Sequence, residues 1–125
     1  MSRHDVEAIY PLSPLQEGML FHAAYGDGAA PYVVQIRHLF HGALDVEALR
    51  RAWGRVMDRH PALRTSFVWK RRDQPLQVVR RGVEAAWTVE DWRGVPPAER
   101  EERLRRYLEA DRARGFELES VPLMR

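Results

Sequence analysis

Arg59-His60-Pro61-Ala62-Leu63-Arg64-Thr65-Ser66-Phe67, RHPALRTSF, is the stretch where one hydrophobic period gives way to another. Before it, Val46, Leu49, Trp53, Val56 and Met57 recur at helical spacing behind Asp45, whose carboxylate suits the N-cap. Pro61 stops that run, because proline has no N–H to donate and its ring clashes with the preceding turn. Beyond it, Thr65 to Lys70 and Leu76 to Arg80 flank the turn-like Arg71-Arg72-Asp73-Gln74-Pro75, which predicts a β-hairpin. A helix that runs straight into a hairpin gives an α+β class, in which helices bury one stripe against a sheet.

Toward the amino terminus, Ser13-Pro14-Leu15-Gln16 reads as a helix start. Ser13 can cap, Pro14 suits the first helical position, and Gln16 can reach back to complete a capping box. The first helix is expected from Pro14 to about Ala24, burying Leu15, Met19 and Ala23 behind Leu12, and ending before the loop Gly26-Asp27-Gly28-Ala29-Ala30-Pro31. From Tyr32 the period becomes two. Tyr32, Val34, Ile36, His38 and Phe40 fall on one face and Val33, Gln35, Arg37, Leu39 and His41 on the other, which predicts a strand with one apolar face.

Toward the carboxyl terminus, Ala86 to Glu90 suggests a short strand. Pro96-Pro97 opens a charged helix through Arg114, with a narrow apolar stripe of Leu104, Tyr107 and Leu108 and a stop at Gly115. Val121-Pro122-Leu123-Met124-Arg125 reads as the approach to a further strand, so the chain is expected to stop in mid-fold. The expected order is helix, strand, helix, hairpin, strand, helix, with no internal repeat and no linker.

Bulk properties narrow the function classes. The 125 residues are 45% hydrophobic and 30% charged, ordinary for a globular fold. A formal charge of +2 from 20 basic and 18 acidic side chains makes no field that argues for nucleic acid or an anionic membrane. Without cysteine there is neither a disulfide nor a thiolate metal site. No apolar run approaches a membrane span, and Met1 to Asp5 lacks the plan of a secretion signal, so a cytoplasmic location is the expectation.

The local constellations carry little chemistry. His38 and His41 are an odd number of positions apart on the expected strand, so their rings point to opposite faces, and no metal site is expected. His38, on the apolar face, reads as a hydrogen-bonded core histidine. Gly26-Asp27-Gly28 lacks the third glycine and the preceding strand of a dinucleotide site. Glu101 and Glu102 read as ion-pair partners of Arg105 and Arg106 on a solvated helix. Lys70, Arg71, Arg72, Arg80 and Arg81 are expected to gather at the open end of the hairpin, either as a solvated surface or as an attractor of phosphate. Only Trp69 interleaves them, too few aromatics for a single-strand binder, so nucleic-acid binding is not expected.

Two segments say more. Leu12 to His22 reads LSPLQEGMLFH and Arg59 to Phe67 reads RHPALRTSF. Both resemble the opening core motifs of condensation domains in nonribosomal peptide synthetases, at that family's usual separation. The likeness runs on through Gly115-Phe116-Glu117-Leu118, similar to an RxFDL-type stretch, and Pro122-Leu123-Met124-Arg125.

The resemblance implies the amino-terminal part of a lobe like that of chloramphenicol acetyltransferase, an α/β sandwich with a mixed sheet flanked by helices. It implies that residues 1–125 precede the HHxxxDG motif, so no catalytic residue is expected in this chain and the chain alone is expected to be inactive. Arg59, His60 and Arg64 would shape the site, at least one arginine holding the aspartate of HHxxxDG. The alternative for either arginine is a cation closing the second helix. Ser13, Gln16, Gly18 and Met19 would line the substrate tunnel, with core packing the alternative for Met19. No cofactor is bound directly in this family; the substrates ride on phosphopantetheine. The implied partners are carrier-protein domains and the rest of a synthetase, without nucleic acid or membrane. Because the unfinished sheet would leave a strand edge unpaired, the chain is expected to fold only with help from itself, by self-association, or from a partner. A non-catalytic module that binds a carrier, and an acyltransferase of the same fold acting on a free amine or alcohol, are the competing readings.

Overall fold

A computed structural model describes residues 5–26 and 32–125. The elements are β1 (Val6–Pro11), α1 (Pro14–Tyr25), α2 (Val46–Arg59), a 3-10 turn (Pro61–Arg64), β2 (Thr65–Val68), β3 (Leu76–Arg80) and α3 (Pro97–Arg114). The α+β class holds. From residue 27 to 31 the expected loop lies outside the described residues.

The sheet has the order β1-β3-β2. β2 and β3 form the expected hairpin, with Val68 opposite Leu76 and Thr65 opposite Val79. β1 lies antiparallel on the other side of β3, with Ile9 opposite Val78 and Pro11 opposite Leu76, and an irregularity between Val6 and Ala8. All pairings are antiparallel, so no parallel component of a mixed sheet appears among the described residues. The hairpin register also separates the basic residues. Lys70 to Arg72 sit at the turn, while Arg80 pairs with Val6 at the opposite end of β3, so the expected single cluster is two. Four residues of strand put roughly 13 Å between them.

The caps read from sequence are all present. The Ser13 hydroxyl accepts from Gln16 N at 3.3 Å while Gln16 Oε1 accepts from Ser13 N at 2.8 Å. Asp45 Oδ1 accepts from Ala48 N at 2.8 Å. α1 ends at Gly26, where a Cβ would lie 2.4 Å from the His22 carbonyl oxygen. α3 ends at Gly115.

The buried apolar residues are Leu12, Leu20, Met57, Val78 and Val79. Leu12 is inside as expected, but the α1 stripe differs. Leu15 is 74% exposed and Met19 and Ala23 are also exposed, while Leu20 is buried. Apolar or small residues surround this helix, so its periodicity could not choose a face. On α2 the stripe holds best at Met57, which is fully buried.

Two expected strands are absent among the described residues. Residues 33–41 run without a ladder among the described residues, and Val34, Ile36, Leu39 and Phe40 are exposed. The odd-numbered Val33 and Gln35 are half-buried instead, with Gln35 reaching α3. Through residue 36 the segment alternates with its apolar Val34 and Ile36 outward; residues 37–41 are all exposed, so His38 is exposed rather than in a core. Residues 86–90 likewise find no neighbouring strand, and residues 121–125 form none. Alternation reports two unlike faces; a strand also requires a backbone beside it.

Candidate functional site

The RHPALRTSF motif folds as the last residue of α2, a helical turn and the first three residues of β2. His60 closes α2 by donating its N–H to the Val56 carbonyl at 3.0 Å, and its own carbonyl accepts from Leu63 N at 3.0 Å. Thr65 Oγ1 donates to the Pro61 carbonyl at 2.9 Å, holding the turn against the strand. These bonds aim Arg64 inward and leave Arg59 and His60 exposed.

Arg64 is 5% exposed. Nε donates to the Met57 carbonyl at 2.8 Å and Nη2 to the Asp58 carbonyl at 3.2 Å. Nη1 donates to Glu7 Oε2 at 2.7 Å and to the Arg80 carbonyl at 2.5 Å. One guanidinium therefore satisfies carbonyls left open at the end of α2, where the helix dipole favours a cation, and ties them to β1 and to the end of β3. The Arg64 hydrogen bond holds the Glu7 carboxyl below its ordinary value of 4.5, against an opposing effect of desolvation and with further help from the charges of Arg64 and Arg81.

The residues of the first motif separate. Ser13 and Gln16 are engaged in the capping box, and the Gln16 side-chain amide also exchanges 3.3 Å hydrogen bonds with that of Gln77 on β3. Gln77 Nε2 donates further to the Pro11 carbonyl at 3.0 Å, so α1 is fastened to both β1 and β3. Gly18 faces open space, with nothing within 4 Å of a Cβ built on it. Met19 lines a groove of about 790 Å³ beside residues 32–36, Trp69, Tyr107, Phe116 and Met124. Gln77 lies three residues along β3 from Arg80, roughly 10 Å from the Arg64 cluster. The structure thus brings Arg64 together with Glu7 and Gln16 together with Gln77, but joins neither pair to Met19 or Arg59.

Glu7 and Gln77 escape the sequence reading. Val6-Glu7-Ala8-Ile9-Tyr10 does alternate polar and apolar residues, the signal that would have placed β1 and put Glu7 on one side of it. Among the described residues, no group of His, Asp and Glu is placed to hold a metal ion. No helix of the described residues is long and apolar enough to cross a membrane.

The profile of the family described as "Condensation domain" matches residues 6–125. The chain is 49% identical over 120 residues to a linear gramicidin synthase protein of Brevibacillus parabrevis, covering 96% of this chain and 2% of that protein. It is 36% identical over 121 residues to bacitracin synthase 3 of Bacillus licheniformis, 97% of this chain and 2% of that protein. Gramicidin S synthase 2 of Brevibacillus brevis is 34% identical over 123 residues, 98% of this chain and 3% of that protein. The chain therefore spans a small fraction of the synthases it matches, and with the family profile covering all but its first five residues and both motifs in place, it belongs to the condensation-domain family of nonribosomal peptide synthetases.

Proposed function

We propose that this chain forms the opening part of a domain that makes amide bonds between carrier-bound aminoacyl or peptidyl thioesters. The observation that carries the reading is the family match over residues 6–125, which includes both motifs. In such a reaction the amine of an acceptor attacks the thioester carbonyl of a donor, an N–C bond forms, and the phosphopantetheine thiol leaves with the proton. Holding two tethered reactants together converts a bimolecular encounter into an oriented one. Carrier-protein domains and the remainder of a synthetase are the partners on this reading.

Within the chain the roles divide. Ser13 and Gln16 set the angle at which α1 leaves the sheet, and Met19 faces the groove that a substrate arm would approach. Arg64 has three of its four described bonds on backbone carbonyls, which supports a scaffold role beneath the site. Arg59, exposed at the end of α2, is the arginine left to meet an acidic group of the catalytic loop. The sequence contains no HHxxxDG motif, so we assign no catalytic residue here and expect no turnover from the chain alone.

The test uses loaded donor and acceptor carriers with the whole condensation domain that contains this chain and, separately, with the chain alone. Amide formation by the domain and none by the chain is expected. Turnover by the chain alone would overturn the assignment of roles. Carrier binding without amide formation by the whole domain would favour the non-catalytic module instead.

A further inference from the structure

Residues 33–37 have no ladder among the described residues, so side chains must account for their placement on α3. Gln35 Nε2 donates to the Leu108 carbonyl at 2.9 Å and to Asp111 Oδ2 at 3.2 Å. Arg37 approaches Glu101 at 3.5 Å, but both side chains are more than half exposed, and such pairs contribute little. Gln35 is therefore the principal polar tether.

The same carboxylate holds a second segment. Asp111 Oδ1 accepts from Arg125 Nε at 2.5 Å and from Arg114 Nη2 at 2.8 Å. Arg125 also donates to the Asp111 carbonyl and to the Gly115 carbonyl, each at 2.7 Å, and its guanidinium carbon lies 4.1 Å from the Phe116 ring centroid. The side chains of Asp111 and Arg125 are 16% and 18% exposed, so this pair is better shielded than the Arg37 pair.

We propose that Asp111 is a positioning residue that couples the extended segment 33–37 to residues 121–125, so that a change at either is felt at the other. One oxygen faces Gln35 and the other faces Arg125, and the two oxygens of a planar carboxylate cannot turn independently. Rotation that improves one bond strains the other. With Gln35 seated on α3, Val33 and Gln35 are half-buried while Val34 and Ile36 are 81% and 74% exposed. The coupling thus decides which face of this segment the molecule presents.

The test is backbone 15N relaxation, in its TROSY form, on the whole condensation domain that contains this chain. Asp111→Ala should drop order parameters at 33–36 and at 123–125 together, from the rigid value of about 0.85 to below about 0.6, while β2, β3 and α2 keep theirs. Gln35→Ala, a half-buried change that spares the sheet, should shift the Arg125 Nε resonance and loosen 123–125. Arg125→Ala should loosen 33–36, and the double variant should add less than the sum of the two. Should Asp111→Ala fail to fold, the Gln35 and Arg125 variants decide the matter. Gln35→Ala loosening 33–36 with Arg125 unmoved, or Asp111→Ala leaving either segment rigid, would overturn the coupling.

Discussion

Arg64 and Asp111 each gather several hydrogen bonds, yet they build regions of different character. Arg64 joins elements that main-chain bonds already hold: a capped helix, a hairpin and a third strand in register. Asp111 joins a helix to two segments that have no ladder of their own, using side chains alone for Gln35, Arg114 and the Nε of Arg125. A side-chain clamp costs rotamer freedom and has no neighbouring rungs to share its strain, so the region around Asp111 should open at lower free energy than the region around Arg64.

Arg64→Ala should break the comparison most severely, since it leaves buried carbonyls without a donor. A loss of about 4 kcal/mol is expected, read as a lower urea midpoint at unchanged slope. A loss below about 1 kcal/mol would mean that the ladders need no clamp. Met57→Ala, at the fully buried centre of the same region, should cost about 3 kcal/mol through the cavity it leaves. Ser13→Ala removes one cap and should cost about 1 kcal/mol, with the circular dichroism signal of the remaining helices retained at low urea.

Acid sharpens the contrast further. The Glu7 carboxyl titrates below its ordinary 4.5 when folded, so its contribution is present above that pH and is lost as pH falls through the lower folded value. Stability should decline below about pH 4.5 in the parent chain, and Glu7→Gln should flatten that part of the profile measured by urea unfolding. The smallest effect belongs to Glu109→Gln, which removes an exposed pair with Arg105 on α3. Its thermal midpoint should match that of the parent within error.

Much of the first region is legible in sequence because its signals are local. Ser13 with Gln16, Asp45 before Val46, Pro61 after α2 and the Arg71 to Pro75 turn each bound an element within a few residues. Gly115 ends α3 for the same reason. β1 escapes because its alternation is short and no turn signal precedes it. The segment 32–41 misleads in the opposite direction: its alternation is genuine, but the expected strand depends on a distant backbone about which alternation says nothing. The same holds at the candidate site. The motif singles out Arg64 without saying what it bonds, and its pairing with Glu7 spans 57 residues and leaves no spacing to read.

Gly115 has a consequence beyond ending α3. At φ 60° and ψ −151° it occupies a backbone region that residues with a Cβ essentially avoid, and it turns the chain back toward the sheet. Three residues later the Leu118 carbonyl accepts from Phe67 N at 2.8 Å, on the outer side of β2. That single rung places a carbonyl where an invading strand from another molecule would have to bond, which is one way proteins discourage fibril growth along an exposed edge. β1, at the opposite edge and with Ile9 and Tyr10 more than half exposed, has no such guard among the described residues. Among the described residues the two edges of the sheet are therefore unequal, and a glycine at the end of a helix is what sets the guard beside β2.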